Sequence, residues 1–227
     1  TKPLGGYFIS FDSMEGCAKA IVAKAKEAGL VDFKGSEEDV LAQIRALVTM
    51  LPANNEDDMS YEECTDDLNR VCSDLANCVG DTAVALSRIA DDGNVFEVKA
   101  GYAKEMVTAF IRVDGVTVGA VANRTEVYDE DGNVAEKFDA VLTPAGCYKA
   151  ADFVNFCDAF SIPVLSLTNV KGFKADKCAE KKIAHAAAKL TYAFANATVP
   201  KVNVIIGQAY GSAYVAMNSK AIGADIT

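Results

Sequence analysis

The chain has 227 residues, 51% hydrophobic and 24% charged, a balance that fits a globular protein and excludes the collagen-like and disordered classes. At about 100–200 residues per domain, this length gives one large domain or two small ones. The formal net charge of −10 is unevenly placed, since residues 1–144 carry 13 Lys and Arg against 27 Asp and Glu, whereas residues 145–227 carry 9 against 5. Overall acidity repels a polyanion and no basic cluster is interleaved with aromatics, so nucleic acid is not an expected partner, while the later part of the chain can accept a small anion. No apolar run approaches the ~18 residues of a membrane-spanning helix. The opening TKPLGGYFIS lacks the charged start and apolar stretch of a secretory signal, and the expected compartment is the cytoplasm.

The first clear element is a helix over residues 35–51, where Val40, Leu41, Ile44, Leu47, Val48 and Leu51 recur at helical spacing. Ser36 is its expected N-cap, with Asp39 as the acidic partner three residues on, and Pro52 stops it. Residues 53–69 hold seven carboxylates, no base and little periodicity, which describes an exposed linker; the EF-hand order of carboxylates around a central Gly is missing. Two apolar runs, 110–113 and 116–121, flank Asp114-Gly115, the signature of a type I′ hairpin, because both turn positions need positive φ. A second Asp131-Gly132 lies in a polar stretch, 127–137, expected to bulge from the surface. From Cys147 the pattern alternates: a helix over 148–160, a strand over 162–168, a helix around 178–195, a strand over 202–206 and, after a glycine-containing turn, a short helix over 212–217. Such alternation implies parallel strands. Residues 223–227 read as an apolar pattern entering a further strand, so the chain is expected to be a fragment.

Seven Cys without a C-x-x-C pair and a single His leave no structural zinc set, and no metal is expected. His185 lies on a mixed helix and reads as a surface or interface residue. The G-x-S-x-G elbow is absent around Ser212, because Tyr210 and Tyr214 occupy the glycine positions, and neither a dinucleotide fingerprint nor a P-loop is present. What remains is the turn Gly211-Ser212-Ala213-Tyr214, which follows a predicted strand and opens a predicted helix, so that successive backbone N–H groups point free at one spot. Tight helix-against-strand packing explains the same small residues. The strand over 162–168 likewise ends in a glycine-containing turn followed by Lys174 and Lys177; ligands favour that end of parallel strands, and solvated surface charge is the alternative reading of the lysines.

GAVA before Asn123, FVNFCDAFSIPV at 153–164, KLTYAFANATVPK at 189–201 and AYGSAY at 209–214 resemble, in order, successive motifs of the biotin-dependent acyl-CoA carboxyltransferases. LPANN at 51–55 and DDLNR at 66–70 are similar to the linker that joins that family's two crotonase-like halves. The resemblance covers nearly the whole chain and implies an α/β, crotonase-like ββα superhelix. It divides the sequence into the tail of an N-terminal half (1–35), a helix and acidic linker (36–75) and a truncated, biotin-side C-terminal half (76–227). The activity implied is carboxyl transfer between biotin on a biotinyl carrier protein and the CoA thioester of an acyl-CoA. The implied site lies between the N-terminal half of one subunit and the C-terminal half of another in a homo-oligomer. On these terms the amides of Ser212 and Ala213 form the oxyanion hole for the biotin ureido oxygen as carboxybiotin releases its carboxyl group, and Gly211, Tyr214, Gly172 and Phe173 line the biotin site.

The family's glycine pair reads Gly211-Ser212 here, its DxPGF loop reads Asn169-Val-Lys-Gly-Phe173 and its RHGAK stretch reads His185-Ala-Ala-Ala-Lys189, which marks a divergent branch. Two other readings stand beside the enzyme: a catalytically silent dimerisation or carrier-docking module, and a CoA hydratase or isomerase of the same fold. The latter needs a catalytic carboxylate at the turn, and none stands within ten residues of Ser212 in sequence. The choice of acyl-CoA stays open, as does the choice between carboxylation and a decarboxylase partnered by a membrane pump subunit.

Overall fold

Asp114 and Gly115 have φ of 53° and 74°, the left-handed backbone that a type I′ turn needs at both central positions and that Asp and Gly tolerate. The strands on either side pair in full register from Met106↔Asn123 to Val113↔Val116, as the sequence predicts. This hairpin is part of the antiparallel side of the main sheet in a computed structural model that describes residues 17–227 apart from Leu68, Ser73 and Glu130. Of the expected N-terminal unit 1–35, residues 1–16 lie outside the described residues.

In chain order the elements are α1 (Ala18–Glu27), α2 (Glu37–Met50), α3 (Leu75–Cys78), α4 (Thr82–Ile89), β1 (Val95–Glu97), β2 (Met106–Val113), β3 (Val116–Asn123), β4 (Glu126–Tyr128), β5 (Val134–Lys137), β6 (Val141–Leu142), α5 (Pro144–Ala159), β7 (Val164–Val170), β8 (Gly172–Phe173), α6 (Lys177–Glu180), α7 (Ile183–Asn196), β9 (Lys201–Ala209) and α8 (Gly211–Ala216). The start of α2 is the expected capping box: Ser36 Oγ accepts from the Asp39 amide at 3.2 Å, and the Asp39 carboxylate accepts from the Ser36 amide at 3.1 Å. Strands β1, β2, β3, β7 and β9 form the main sheet in that order, antiparallel among the first three and parallel at β3–β7 and β7–β9. The parallel pairs are bridged by α5 and α7, in agreement with the alternating sequence pattern.

Several boundaries differ from the sequence reading. Helix α5 starts four residues earlier than the apolar pattern, because Thr143 caps it by accepting from the Gly146 amide at 2.9 Å and Pro144 fits the first turn, where no N–H is needed. The single helix expected around 178–195 is broken at Lys181–Lys182 into α6 and α7; Asp176 caps the first piece through the amides of Cys178 and Ala179. The surface excursion over 127–137 contains a small hairpin, β4–β5, whose second strand is exposed throughout. Strand β9 runs on through Gly207 to Ala209, past its expected end at Ile206.

Alternate residues of the sheet serve opposite faces. Phe110 and Val121 face α5 and α7, where Phe153, Val154, Leu190 and Phe194 are buried, while Val107, Ile111, Ala120 and Leu167 face Leu86 of α4. A fully buried side chain of this size contributes about 1.5–3 kcal/mol. Strand and helix come closest at Gly119, where a Cβ would lie 2.4 Å from Cys157 Sγ, so the thiol of α5 fills the space that a side chain on β3 would need. The acidic linker is tied to the hairpin tip by the Glu62 amide, which donates to Gly115 O at 3.0 Å, and the Asp91 carboxylate, just after α4, accepts from the Asp114 and Gly115 amides at 3.1 and 2.8 Å.

Charged groups also enter the interior. Arg124, just beyond β3, is 6% exposed and stands 2.9 Å from Glu97 Oε2 and 3.3 Å from Asp81 Oδ1. Asp81 additionally caps α4 at Ala83 and accepts from the Tyr128 amide, so a single carboxylate holds together α4, β4 and the end of β3. Lys149 of α5, 3% exposed, donates to Tyr102 O at 2.8 Å. Burial pushes its ammonium down to about 8, with Arg124 and Lys99 acting in the same direction and the carboxylates of Glu97 and Glu105 opposing.

Two stability predictions follow from these buried charges. Arg124→Met leaves the buried Asp81 and the partly buried Glu97 without their cation, which costs about 3–5 kcal/mol in urea unfolding; a loss below about 1 kcal/mol contradicts the ion-pair reading. Lys149 titrates near ~10.4 when unfolded, so above about 8 the unfolded state holds more protons than the folded one, and folded stability rises with pH across that window. Between about pH 7.5 and 10 the unsubstituted protein therefore gains on the order of 2 kcal/mol relative to Lys149→Met, and a pH-independent difference between the two contradicts the burial argument.

Candidate active site

Strands β7 and β9 run parallel, so their carboxyl ends lie side by side and the segments that leave them meet. The Tyr210 amide donates to Val170 O at 3.1 Å, which fixes the chain as it leaves β9. Gly211 then takes φ of 60°, a left-handed conformation that would strain any side chain, and α8 begins. Among the described residues, the amides of Gly211, Ser212 and Ala213 have no hydrogen-bond partner, and Tyr210 supplies no side-chain cap; the first amide engaged is that of Tyr214, to Tyr210 O at 3.3 Å. The turn therefore presents three successive free donors. Ser212 and Gly211 are exposed, whereas the methyl of Ala213 is buried beneath them.

The far end of this six-residue helix is held just as firmly. Thr168 Oγ1 donates to Asn203 Oδ1 at 2.7 Å and stands 3.4 Å from Met217 O, and Asn218 donates through Nδ2 to Ser166 Oγ at 2.7 Å. Fixed at both ends to β7 and β9, the helix needs little reorganisation to present its donors, which is the condition for an oxyanion hole to be effective. Helix α8 packs against β8, and Phe173 and Tyr214 border the same core, so the two turns that the sequence assigns to one site do meet. A Cβ built on Gly172 or on Gly211 would meet nothing within 4 Å, so the main chain is approachable at both glycines. The arrangement can bind an anionic oxygen through backbone donors and needs no acidic or basic side chain to do so.

Other candidates lie elsewhere or are engaged. His185 Nδ1 is 2.8 Å from Tyr148 Oη on the exposed side of α5 and α7, a helix-to-helix contact rather than a base for Ser212. Lys171 pairs with Asp139 at 3.6 Å. Cys147 and Cys157 are buried and their thiols are pushed up, the former to about 12, so neither is a nucleophile. Among the described residues no three His, Cys, Asp or Glu side chains are grouped as metal ligands, and no helix is long and apolar enough to cross a membrane.

Sequence reasoning missed the polar chain that crosses the strand ends. Asn123 Oδ1 accepts from the Asn169 amide at 3.2 Å, and Asn169 Oδ1 accepts from the Gln208 amide at 2.9 Å. The signal was present as an Asn at the carboxyl end of β3 and one residue before the end of β7.

Residues 13–227 match the carboxyl transferase domain. The chain is 37% identical over 206 residues to the methylmalonyl-CoA carboxyltransferase 12S subunit of Propionibacterium freudenreichii subsp. shermanii, a match covering 87% of this chain and 37% of that protein. It is 36% identical over 213 residues to the methylmalonyl-CoA decarboxylase α subunit of Veillonella parvula, covering 87% and 39%. The crystal structure of a transcarboxylase 12S hexamer with hydrolysed methylmalonyl-CoA bound aligns with a TM-score of 0.79 at 36% identity over 90% of this chain and 40% of that one. The chain thus spans about two fifths of the length of these relatives. Its main sheet, with α4 on one face and α5 and α7 on the other, is crotonase-like. By sequence and by fold, this chain belongs to the carboxyl transferase domain family.

Proposed function

We propose that the chain is the biotin-side part of a biotin-dependent acyl-CoA carboxyltransferase or decarboxylase, and that it acts with a biotinyl carrier protein on a CoA thioester. The observation that carries the reading is the run of free amides at Gly211, Ser212 and Ala213 on a helix fixed at both ends, in a chain of this family. On this reading residues 76–227 form the biotin-side unit, 36–75 connect it, and 1–35 belong to the preceding half. A second subunit of a homo-oligomer completes the site from its own acyl-CoA half; the aligned 12S protein is a hexamer. A membrane pump subunit joins if the reaction runs as decarboxylation.

The residues fit a biotin ureido group, because an unhindered glycine and three unpartnered N–H groups offer donors to one oxygen that gains negative charge. When bound, biotin supplies the carboxyl carrier. Ser212 and Ala213 donate their amides to the ureido oxygen, and Gly211 keeps the approach free of a side chain. Tyr214, Gly172 and Phe173 form the walls that orient the ring. The Ser212 hydroxymethyl stands at the mouth of this hole and narrows it, a feature of this chain's divergent turn. Methylmalonyl-CoA, named for two of the relatives, is the first substrate to try.

The test is biotin-dependent turnover of malonyl-CoA and methylmalonyl-CoA by the complete polypeptide with free biotin, and absence of such turnover with any acyl-CoA overturns the reading. Two variants assign the chemistry within the turn. Ala213→Pro removes one donor and lowers the rate by about 10²–10³, or about 3–4 kcal/mol in the transition state. Ser212→Gly keeps every amide and holds turnover at or above that of the unsubstituted protein. Full activity in Ala213→Pro, with an unchanged circular dichroism spectrum, eliminates the oxyanion hole; a large loss in Ser212→Gly assigns the chemistry to the hydroxyl instead.

A further inference from the structure

Strand β9 carries two more residues than its neighbour can pair with. Thr168 pairs with Ile205 and Val170 pairs with Ala209, so Asn169 alone faces Ile206, Gly207 and Gln208. The bulge this creates lies directly before Tyr210, whose amide returns to Val170 O and sets the origin of the amide turn. An amide lifted out of a ladder by a bulge has lost its partner strand's carbonyl and turns to another acceptor. Here the Gln208 amide is served by Asn169 Oδ1 at 2.9 Å, a side chain standing in for the missing main-chain acceptor. The Asn169 backbone is itself held from the other side by Asn123 Oδ1 at 3.2 Å, and Asn123 is 5% exposed. The carboxamide lies so close over β9 that a Cβ on Gly207 would be 2.6 Å from its oxygen, which explains a glycine inside the strand.

We propose that Asn169 is a positioning residue for the amide turn: its carboxamide props the β9 bulge and thereby sets the height from which Tyr210, Gly211, Ser212 and Ala213 project. The proposal rests on the carboxyltransferase reading for its kinetic consequence but not for its structural one. Asn169 touches no substrate in this role, and it acts only through Gln208 and the bulge. Position 169 is also where this chain departs from its family's DxPGF loop, so the prop is amide chemistry here and works without adding a negative charge beside an oxyanion site.

Hydrogen exchange and kinetics on the full-length protein together decide the matter. In Asn169→Ala the Gln208 amide exchanges about tenfold faster, the worth of one net hydrogen bond. Biotin-dependent kcat falls about ten- to a hundredfold while KM for the acyl-CoA is unchanged, because misplaced donors cost the transition state and not thioester binding. Gly207→Ala, whose methyl pushes the carboxamide off the bulge, reproduces both effects, and Asn169→Asp, which keeps an acceptor at the same point, restores slow exchange and most of kcat. Unchanged Gln208 exchange in Asn169→Ala and Gly207→Ala overturns the prop, and faster exchange with kcat unchanged overturns the positioning role. Exchange is read without biotin or acyl-CoA, so a protein with no turnover at all overturns the proposed function while the exchange rates still decide whether Asn169 holds the bulge.

Discussion

The structure depends on β7 lying parallel between β3 and β9. A parallel strand buried on both sides must pair its main-chain groups with both neighbours, and its connections must cross back over the sheet faces. That requirement places α5 and α7 on one face and aligns the carboxyl ends of the three strands, where Asn123, Asn169 and Gln208 succeed one another. The amide turn inherits its position from this alignment. Its N-terminal anchor, Val170 O, and its C-terminal anchors, Ser166 and Thr168, all belong to β7, so the same strand that organises the core also fixes the helix bearing the free donors.

A site made of backbone amides asks for something different from a site made of acids and bases. In the proposed site no side chain has to be charged, and a residue change such as the family's glycine to Ser212 leaves the donor in place. What the site cannot tolerate is movement, since a hydrogen bond weakens steeply with distance and angle. The polar side chains around α8 and β9 are accordingly structural. Thr168, Asn203, Ser166 and Asn218 are buried and bonded to one another or to main chain, and they spend their polarity on holding the helix rather than on chemistry.

Much of this was legible in the sequence, and the parts that were not share a cause. The hairpin at Asp114-Gly115 and the cap at Ser36 are local: the residues that determine them lie within a few positions of one another. The strand and helix alternation after Cys147 is also local in period. By contrast, the break at Lys181–Lys182, the extension of β9 past Gly207 and the burial of Arg124 and Lys149 depend on groups far away in sequence. Arg124 is held in the interior by Asp81 and Glu97, both distant from it in sequence. The early start of α5 is a different case, since Thr143-Pro144 is a capping signal that hydrophobic periodicity overlooks. The turn residues of the site were readable only as a possibility of free amides; that both ends of α8 are clamped to one strand is tertiary information.

The contact between Cys157 and Gly119 reaches beyond packing. With its sulfur filling the place of a missing side chain, the thiol can meet a reagent only when α5 separates from β3. Cys17 and Cys178 lie on the surface and meet the same reagent in the folded chain. The exposed and the buried sulfurs thus keep different time, one set by collision with solvent species and the other by the opening of the core. An oxidant is spent on the outer thiols first, and modification of Cys157 records how often the central layers of the molecule come apart.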